Sequence, residues 1–267
     1  MSSGFENKVV WITGASSGIG EALAYELAGR GARLVLSARR PSELERVRAA
    51  SCASDQDRVA LVPLDLGELP SLPSKVEHAW GRFGPIDIMV HNGGISQRSL
   101  AAETSFEVDQ RLMTVNYFGP VVLTKSLLPR MRERRSGQFV VVTSLTGLIG
   151  TALRSGYAAS KHALHGFFDS LRAEVQGDGI AVTLVCPGFV HTDVSRNALT
   201  GDGSAQGTMD AATRQGLEPG VCARAIAKAT LSRRTEVYIG GFETMGVYVK
   251  RLSPALFARV VARAKVR

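Results

Sequence analysis

Apolar residues recur along the chain in seven short blocks: KVVWIT (8–13), ARLVLSA (32–38), RVALVPL (58–64), IDIMVHN (86–92), GQFVVVTS (137–144), IAVTLVCP (180–187) and TEVYIG (235–240). Within them Val, Ile and Leu follow one another instead of alternating with polar residues, the pattern of strands buried on both faces. The stretches between, such as GEALAYELAGRG (20–31) and SLPSKVEHAWGRFG (71–84), carry apolar positions at helical spacing. Strands and helices in alternation predict an α/β chain, with a doubly wound parallel sheet covered by helices on both sides. At 267 residues and 45% hydrophobic content the chain fits one domain, residues 1–267, with a continuous core.

The pattern lapses in two places. SRNALTGDGSAQGTMDAATRQG (195–216) is rich in Gly, Ser and Thr, and a long irregular segment in a compact domain predicts a flexible substrate lid, about 193–217. The C-terminal segment 247–267 is basic and amphipathic: Ser253 and Pro254 suit a helix start, and Leu256, Phe257, Val260, Val261 and Ala264 recur at helical spacing. Its Lys250, Arg251, Arg259, Arg263, Lys265 and Arg267 meet no acidic residue, so of the net charge of +8 only +2 belongs to the rest of the chain. Basicity confined to a tail argues against a nucleic-acid partner and for a terminal helix docked by its apolar face. Peripheral contact with an anionic membrane and packing on a subunit are the alternatives. With no 18-residue apolar run and no signal-peptide pattern, the expectation is a cytoplasmic protein without an integral membrane segment. Cys52, Cys186 and Cys222 are odd in number and far apart, and read as ordinary buried thiols.

Chemistry enters where the first block meets the next helix. TGASSGIG sets Gly14, Gly18 and Gly20 at a strand-to-helix turn, where glycines let the backbone approach a pyrophosphate held by the helix N-terminus. The same letters spell G-x-S-x-G, which offers a second reading: a serine hydrolase with Ser16 as nucleophile and Asp169 and His191 as partners. The second block favours the nucleotide. Where an NAD site carries an acidic residue for the ribose 2′-hydroxyl, this chain has Arg39 followed by Arg40, and a guanidinium suits a 2′-phosphate. The expected cofactor is NADP(H).

GYAASK (156–161) spaces Tyr157 and Lys161 one helical turn apart, on one face. A core tyrosine beside a solvated lysine would look the same. A nearby cation, however, stabilises a phenolate and brings a phenol of pKa about 10 into a range where it can exchange protons near neutrality. Ser144, at the end of the fifth block, is positioned to hold a carbonyl oxygen.

TGASSGIG, HNGG, VNYFG, SLTGLIGTALRSGYAASK and PGFVHT occur in the order and spacing of the short-chain dehydrogenase/reductase family, which the chain resembles over residues 8 to about 240. Its C-terminal stretch resembles that of the dehydrogenase/reductase member 7B-like branch. The resemblance implies a Rossmann-type sheet of about seven strands in the order 3-2-1-4-5-6-7, and a catalytic tetrad of Asn116, Ser144, Tyr157 and Lys161. It further implies a cofactor site of Gly14, Ser16, Ser17, Gly18, Ile19 and Gly20, with Arg39, Arg40, Asp65, Leu66, Asn92, Gly93 and Gly94. Tyr157, Lys161, Pro187, Gly188, Val190 and Thr192 complete that site. Leu145, Leu148, Leu153 and Phe189, with Ser144 and Tyr157, are expected to shape the pocket for a small carbonyl or alcohol substrate. The family's NNAG is HNGG here, with His91 and Gly93 in place of Asn and Ala, a change expected to alter packing more than chemistry. An oxidoreductase acting as a homodimer or homotetramer follows from the resemblance, and a catalytically silent nucleotide sensor on the same fold remains an alternative. His162 and His165 flank Lys161 without a carboxylate at ligand spacing, so they are expected at the helix surface or a subunit interface, and no metal is expected.

Overall fold

The computed structural model describes residues 4–51 and 56–263. The apolar blocks become β1 (Val9–Thr13), β2 (Arg33–Ser37), β3 (Val59–Leu61), β4 (Ile88–His91), β5 (Gly137–Val142), β6 (Ile180–Pro187) and β7 (Glu236–Ile239). They form one parallel sheet in the order β3-β2-β1-β4-β5-β6-β7. The helices are α1 (Gly18–Ala28), α2 (Pro41–Ser51), α3 (Leu72–Phe83), α4 (Phe106–Met113), α5 (Gly119–Glu133), α6 (Ser155–Glu174), α7 (Ala211–Arg214), α8 (Pro219–Leu231), α9 (Met245–Leu252) and α10 (Pro254–Arg263).

Two-sided burial explains why the strands do not alternate in polarity. Val10 and Ile12 of β1 pack with α1, α2 and α8, whereas Val9 and Trp11 face α3, α5 and α6. β5 divides in the same way, Val140 and Val142 to the first layer and Phe139 and Val141 to the second. Each fully buried aliphatic side chain contributes about 1.5–3 kcal/mol relative to exposure. The polar atoms caught inside are paired: Trp11 Nε1 donates to Ser37 Oγ at 2.8 Å, and Ser37 Oγ donates to Val62 O at 2.6 Å. β3 is shorter than its block because Pro63 has no N–H for the ladder.

β1 lies between β2 and β4, so connections leave it toward both faces of the sheet. The crevice outside the C-terminal strand ends at such a switch point is where open α/β sheets take ligands.

The C-terminal segment divides. α9 docks through Val247 on Leu145, Ile149 and Cys186, and Lys250 Nζ donates to Leu148 O at 2.6 Å. α10 does not bury its apolar face as expected: Phe257 and Val261 are partly covered, while Leu256 and Val260 are exposed. Ala264, Lys265 and Arg267 lie outside the described residues, as does Cys52. Cys186 and Cys222 are buried free thiols. Among the described residues no helix is long and apolar enough to cross a membrane.

Candidate active site

The glycine loop is held from behind. Asn92 Nδ2 donates to Thr13 O at 3.1 Å and Gly14 O at 3.2 Å, and Thr13 Oγ1 accepts from the Asn92 and Gly93 amides, both at 3.1 Å. Gly14 has φ +67°, and a Cβ there would lie 2.7 Å from Gly93 Cα, so only glycine fits. A Cβ on Gly20 would collide with Gly14 O. Gly93, where the family has alanine, leaves room for the buried Leu66, whose Cδ1 would be 2.7 Å from an added methyl.

Ser17 does not cap α1 with its side chain, and the amides of Gly18, Ile19 and Gly20 have no acceptor among the described residues. An uncapped helix start of this kind fits a phosphate. Thr192 packs over Gly18. Past the end of β2, Arg39 and Arg40 are exposed, and Arg40 Nη2 reaches Ser16 Oγ at 3.5 Å. Arg46 of α2, which the sequence reading passed over, joins them: it pairs with Glu21 at 2.7 Å and donates to Ser16 O at 3.4 Å. Asp65, just beyond β3, accepts from the Gly67 amide at 2.8 Å. The glycine loop, the open start of α1 and Asp65 fit a dinucleotide.

The serine-hydrolase constellation is not assembled. His191 pairs with Glu218 at 3.7 Å and Asp169 with Arg172 on α6, and neither contacts Ser16 among the described residues.

Asn116 sits in a π-helical turn, Thr114–Phe118, between α4 and α5. Such one-turn bulges turn a side chain out of the helical register and recur at functional sites. Asn116 is fully buried. Its Oδ1 accepts from the Ile95 amide at 2.8 Å, and its Nδ2 donates to Ile95 O and Ser160 Oγ, both at 2.9 Å. Ser144 follows β5; its Oγ accepts from Thr146 N at 3.2 Å and Thr146 Oγ1 at 2.9 Å, and donates to Pro187 O at 3.4 Å. The start of α6 is satisfied by Gln97, whose Oε1 accepts from the Gly156 and Tyr157 amides at 2.8 and 3.2 Å. One turn on, Lys161 Nζ donates to Val142 O at 3.0 Å, and a Cβ on Gly94 would lie 3.6 Å from it.

Burial pushes the Tyr157 phenol above its ordinary value, opposed by the Ser144 hydroxyl, the Arg154 and Arg98 charges and the Thr146 hydroxyl. Burial also pushes Lys161 down, to about 8. The cations that most favour the phenolate are therefore two arginines the sequence reading missed. Arg154 stands three residues before Tyr157 in RSGYAASK, but nothing in the sequence marks Asp210, 56 residues away, as its partner.

Ser144 and Tyr157 open on a cavity of about 180 Å³, lined by Leu145, Ile149, Phe189, Val190 and Val194, with Arg98, Arg154 and Glu243 among its polar walls. Two expected pocket residues are not in its lining. Leu148 packs instead in the cluster beneath α9. Leu153 has a left-handed backbone, φ +65°, and its carbonyl accepts from the Ser99 amide at 3.2 Å. The histidine expectation also needs correction. His162 is exposed, but His165 is buried, with Nε2 3.1 Å from Thr143 Oγ1 and ligand atoms within 4.8 Å of those of Cys186 and Glu236. Cys186 and Glu236 reach His165 from β6 and β7, neighbours that spacing along α6 does not show. Burial holds the Cys186 thiol protonated, its pKa pushed up to about 12.

The family model for short chain dehydrogenases matches residues 8–202. The chain belongs to the short-chain dehydrogenase/reductase family. It is 42% identical over 264 residues to the Drosophila melanogaster dehydrogenase/reductase SDR family protein 7-like, covering 97% of this chain and 81% of the relative. It is also 42% identical over 262 residues to dehydrogenase/reductase SDR family member 7B of Bos taurus, covering 96% and 81%. Among solved structures, a short-chain dehydrogenase from Streptomyces avermitilis superposes with a TM-score of 0.80 at 28% identity, over 96% of each chain. Family members are oxidoreductases that bind a nicotinamide cofactor on this Rossmann fold.

Proposed function

We propose that the protein interconverts a carbonyl compound and its alcohol using NADP(H), with Tyr157 exchanging the proton. The observation that carries this reading is the convergence of the Ser144 hydroxyl and the Tyr157 phenol on one cavity, with Lys161 one turn behind. A bound nicotinamide would supply the hydride to the carbonyl carbon, or accept it from the alcohol.

The chain's own residues supply the rest. Held by the two bonds it accepts from Thr146, Ser144 Oγ turns its one proton from Pro187 O to the carbonyl oxygen and fixes that oxygen beside Tyr157. Tyr157 gives its proton to that oxygen in reduction and takes it back in oxidation. Arg154 and Arg98 favour the phenolate, and Lys161, with a pKa of about 8 and its ammonium 5.8 Å from the centre of the Tyr157 ring, adds a cation near neutrality. Asn116 braces this arrangement by tying the Ile95 peptide to Ser160 on α6. Arg39 and Arg40, exposed where an acidic residue would select NAD, support the preference for the phosphorylated cofactor.

The test follows NADPH absorbance with a panel of aliphatic and aromatic aldehydes and ketones. Carbonyl-dependent oxidation of NADPH, faster than that of NADH, is expected. Tight NADPH binding without turnover on any member would replace the enzyme reading with a sensor.

A further inference from the structure

Two guanidinium groups in the cavity wall share one carboxylate, and the sharing is unequal. Arg98 holds most of it: Nε and Nη2 each lie 2.7 Å from Asp210 Oδ2, and Nη1 donates to Ser96 Oγ and Gln97 O at 2.8 and 2.6 Å. The other oxygen, Oδ1, accepts from Gln206 Nε2 at 3.0 Å. Arg154 is left with one longer bond, from Nη2 to Oδ2 at 3.3 Å. Its Nε and Nη1 have no hydrogen-bond acceptor among the described residues, although its side chain is only 6% exposed.

That guanidinium lines the same cavity as Ser144 and Tyr157, with its Cζ 5.8 Å from the centre of the Phe189 ring. The other acid in the wall, Glu243, accepts from the Phe189 amide at 3.4 Å and forms no ion pair with either arginine. A cation taken out of water and only partly paired is costly, and the natural remedy is an oxyanion able to accept from its free donors. Guanidinium groups suit carboxylates and phosphates because two parallel N–H donors match two oxygens.

We propose that Arg154 is the recognition point for an anionic group, a carboxylate or a phosphate, carried by the carbonyl or alcohol substrate. The substrate class is then a small anionic carbonyl compound whose apolar portion lies against Leu145, Ile149 and Val194. This deepens the oxidoreductase reading and rests on it. If Arg154 served only to fasten segment 193–217, substrate charge would be immaterial.

Calorimetric titration of the NADP-loaded protein with 4-(hydroxymethyl)benzoate and with its methyl ester reads this subsite without turnover. The acid is expected to bind at least tenfold more tightly than the ester. Arg154→Met is expected to abolish that difference, and Arg154→Lys to keep part of it. Because Asp210 retains Arg98, the methionine variant should fold, but the wild-type comparison decides the matter alone. No measurable binding of the acid, equal affinities, or an acid preference that survives Arg154→Met would overturn the proposal. Oxidation of the two alcohols tests the activity separately: turnover without acid preference sinks the subsite alone, and acid-selective binding without turnover of either sinks the enzyme reading alone.

Discussion

The Lys161 ammonium lies 5.8 Å from the centre of the Tyr157 ring and donates to Val142 O at 3.0 Å. One turn of α6 thus holds the phenol at the cavity while its cation is anchored to the end of β5. Tyr157→Phe deletes the exchangeable proton and leaves the glycine loop untouched. Turnover is expected to fall by about 10²–10⁴-fold, with NADPH affinity, read by fluorescence titration, essentially unchanged.

Arg154 and Arg98 favour the phenolate from the cavity side. For an uncharged alcohol, oxidation needs that phenolate, so removing a cation should raise the pH at which it forms. The kcat/KM profile of Arg154→Met is expected to shift to higher pH, and that of Arg154→Lys to shift less. An unchanged profile would remove Arg154 from the electrostatics of the proton transfer.

Arg39 and Arg40 stand exposed beside the loop that carries Ser16. Replacing both by alanine is expected to weaken NADPH binding at least tenfold, about 1.4 kcal/mol, while NADH binding changes little. Equal losses for both cofactors would mean that the pair does not read the 2′-phosphate.

His91 is buried, with Nε2 2.8 Å from Thr124 Oγ1 and its ring stacked on Phe139, and burial lowers its pKa to about 3. Unfolded, the same imidazole titrates near 6.5. The unfolded chain therefore binds a proton that the folded one refuses. The stability linked to His91 is complete above pH 6.5 and drains as pH falls toward 3, at up to about 1.4 kcal/mol per unit. Burial lowers the pKa of His165 as well and adds in the same direction. Urea unfolding at pH 7 and pH 5 should show a smaller loss for His91→Asn than for the wild type, whatever the variant costs at neutrality.

Burial alone would raise the Asp210 carboxyl, but Arg98, Gln206 and Arg154 together hold it below its ordinary value. Asp210→Ala leaves two buried guanidinium groups without their acid, and a loss of roughly 3–5 kcal/mol is expected in denaturant unfolding. Arg154→Met, which leaves the Arg98–Asp210 pair intact, should cost much less. Equal losses would contradict the unequal sharing seen at Oδ2.

The parts legible in the sequence are those set by local pattern. Consecutive Val and Leu announced strands buried twice, and the spacings of Gly14, Gly18 and Gly20 and of Tyr157 and Lys161 marked one turn of backbone each. What escaped depends on distant chain meeting. Arg98 and Asp210 are 112 residues apart, and Glu236 reaches His165 only because β7 lies beside β6. Leu148 and Leu153 looked like pocket residues from their place between Ser144 and Tyr157. Leu148 instead serves the packing of α9, and the carbonyl of Leu153 pairs with Ser99.

The segment after β6 is fastened unevenly. At Asp210 it is held by buried charge, and at Leu199 by backbone bonds to Ser96 and Arg98, each 2.8 Å. Nearer β6, Val194 borders the cavity and is 41% exposed. Peeling the Asp210 end would strand ions in a low-dielectric interior, and Ser195, fully buried, ties the chain next to Val194 to the Asp210 amide at 3.3 Å, so only the Val194 side chain itself is free to swing. A bulkier side chain at Val194 is therefore expected to narrow the cavity while leaving the ion pairs at Asp210 in place.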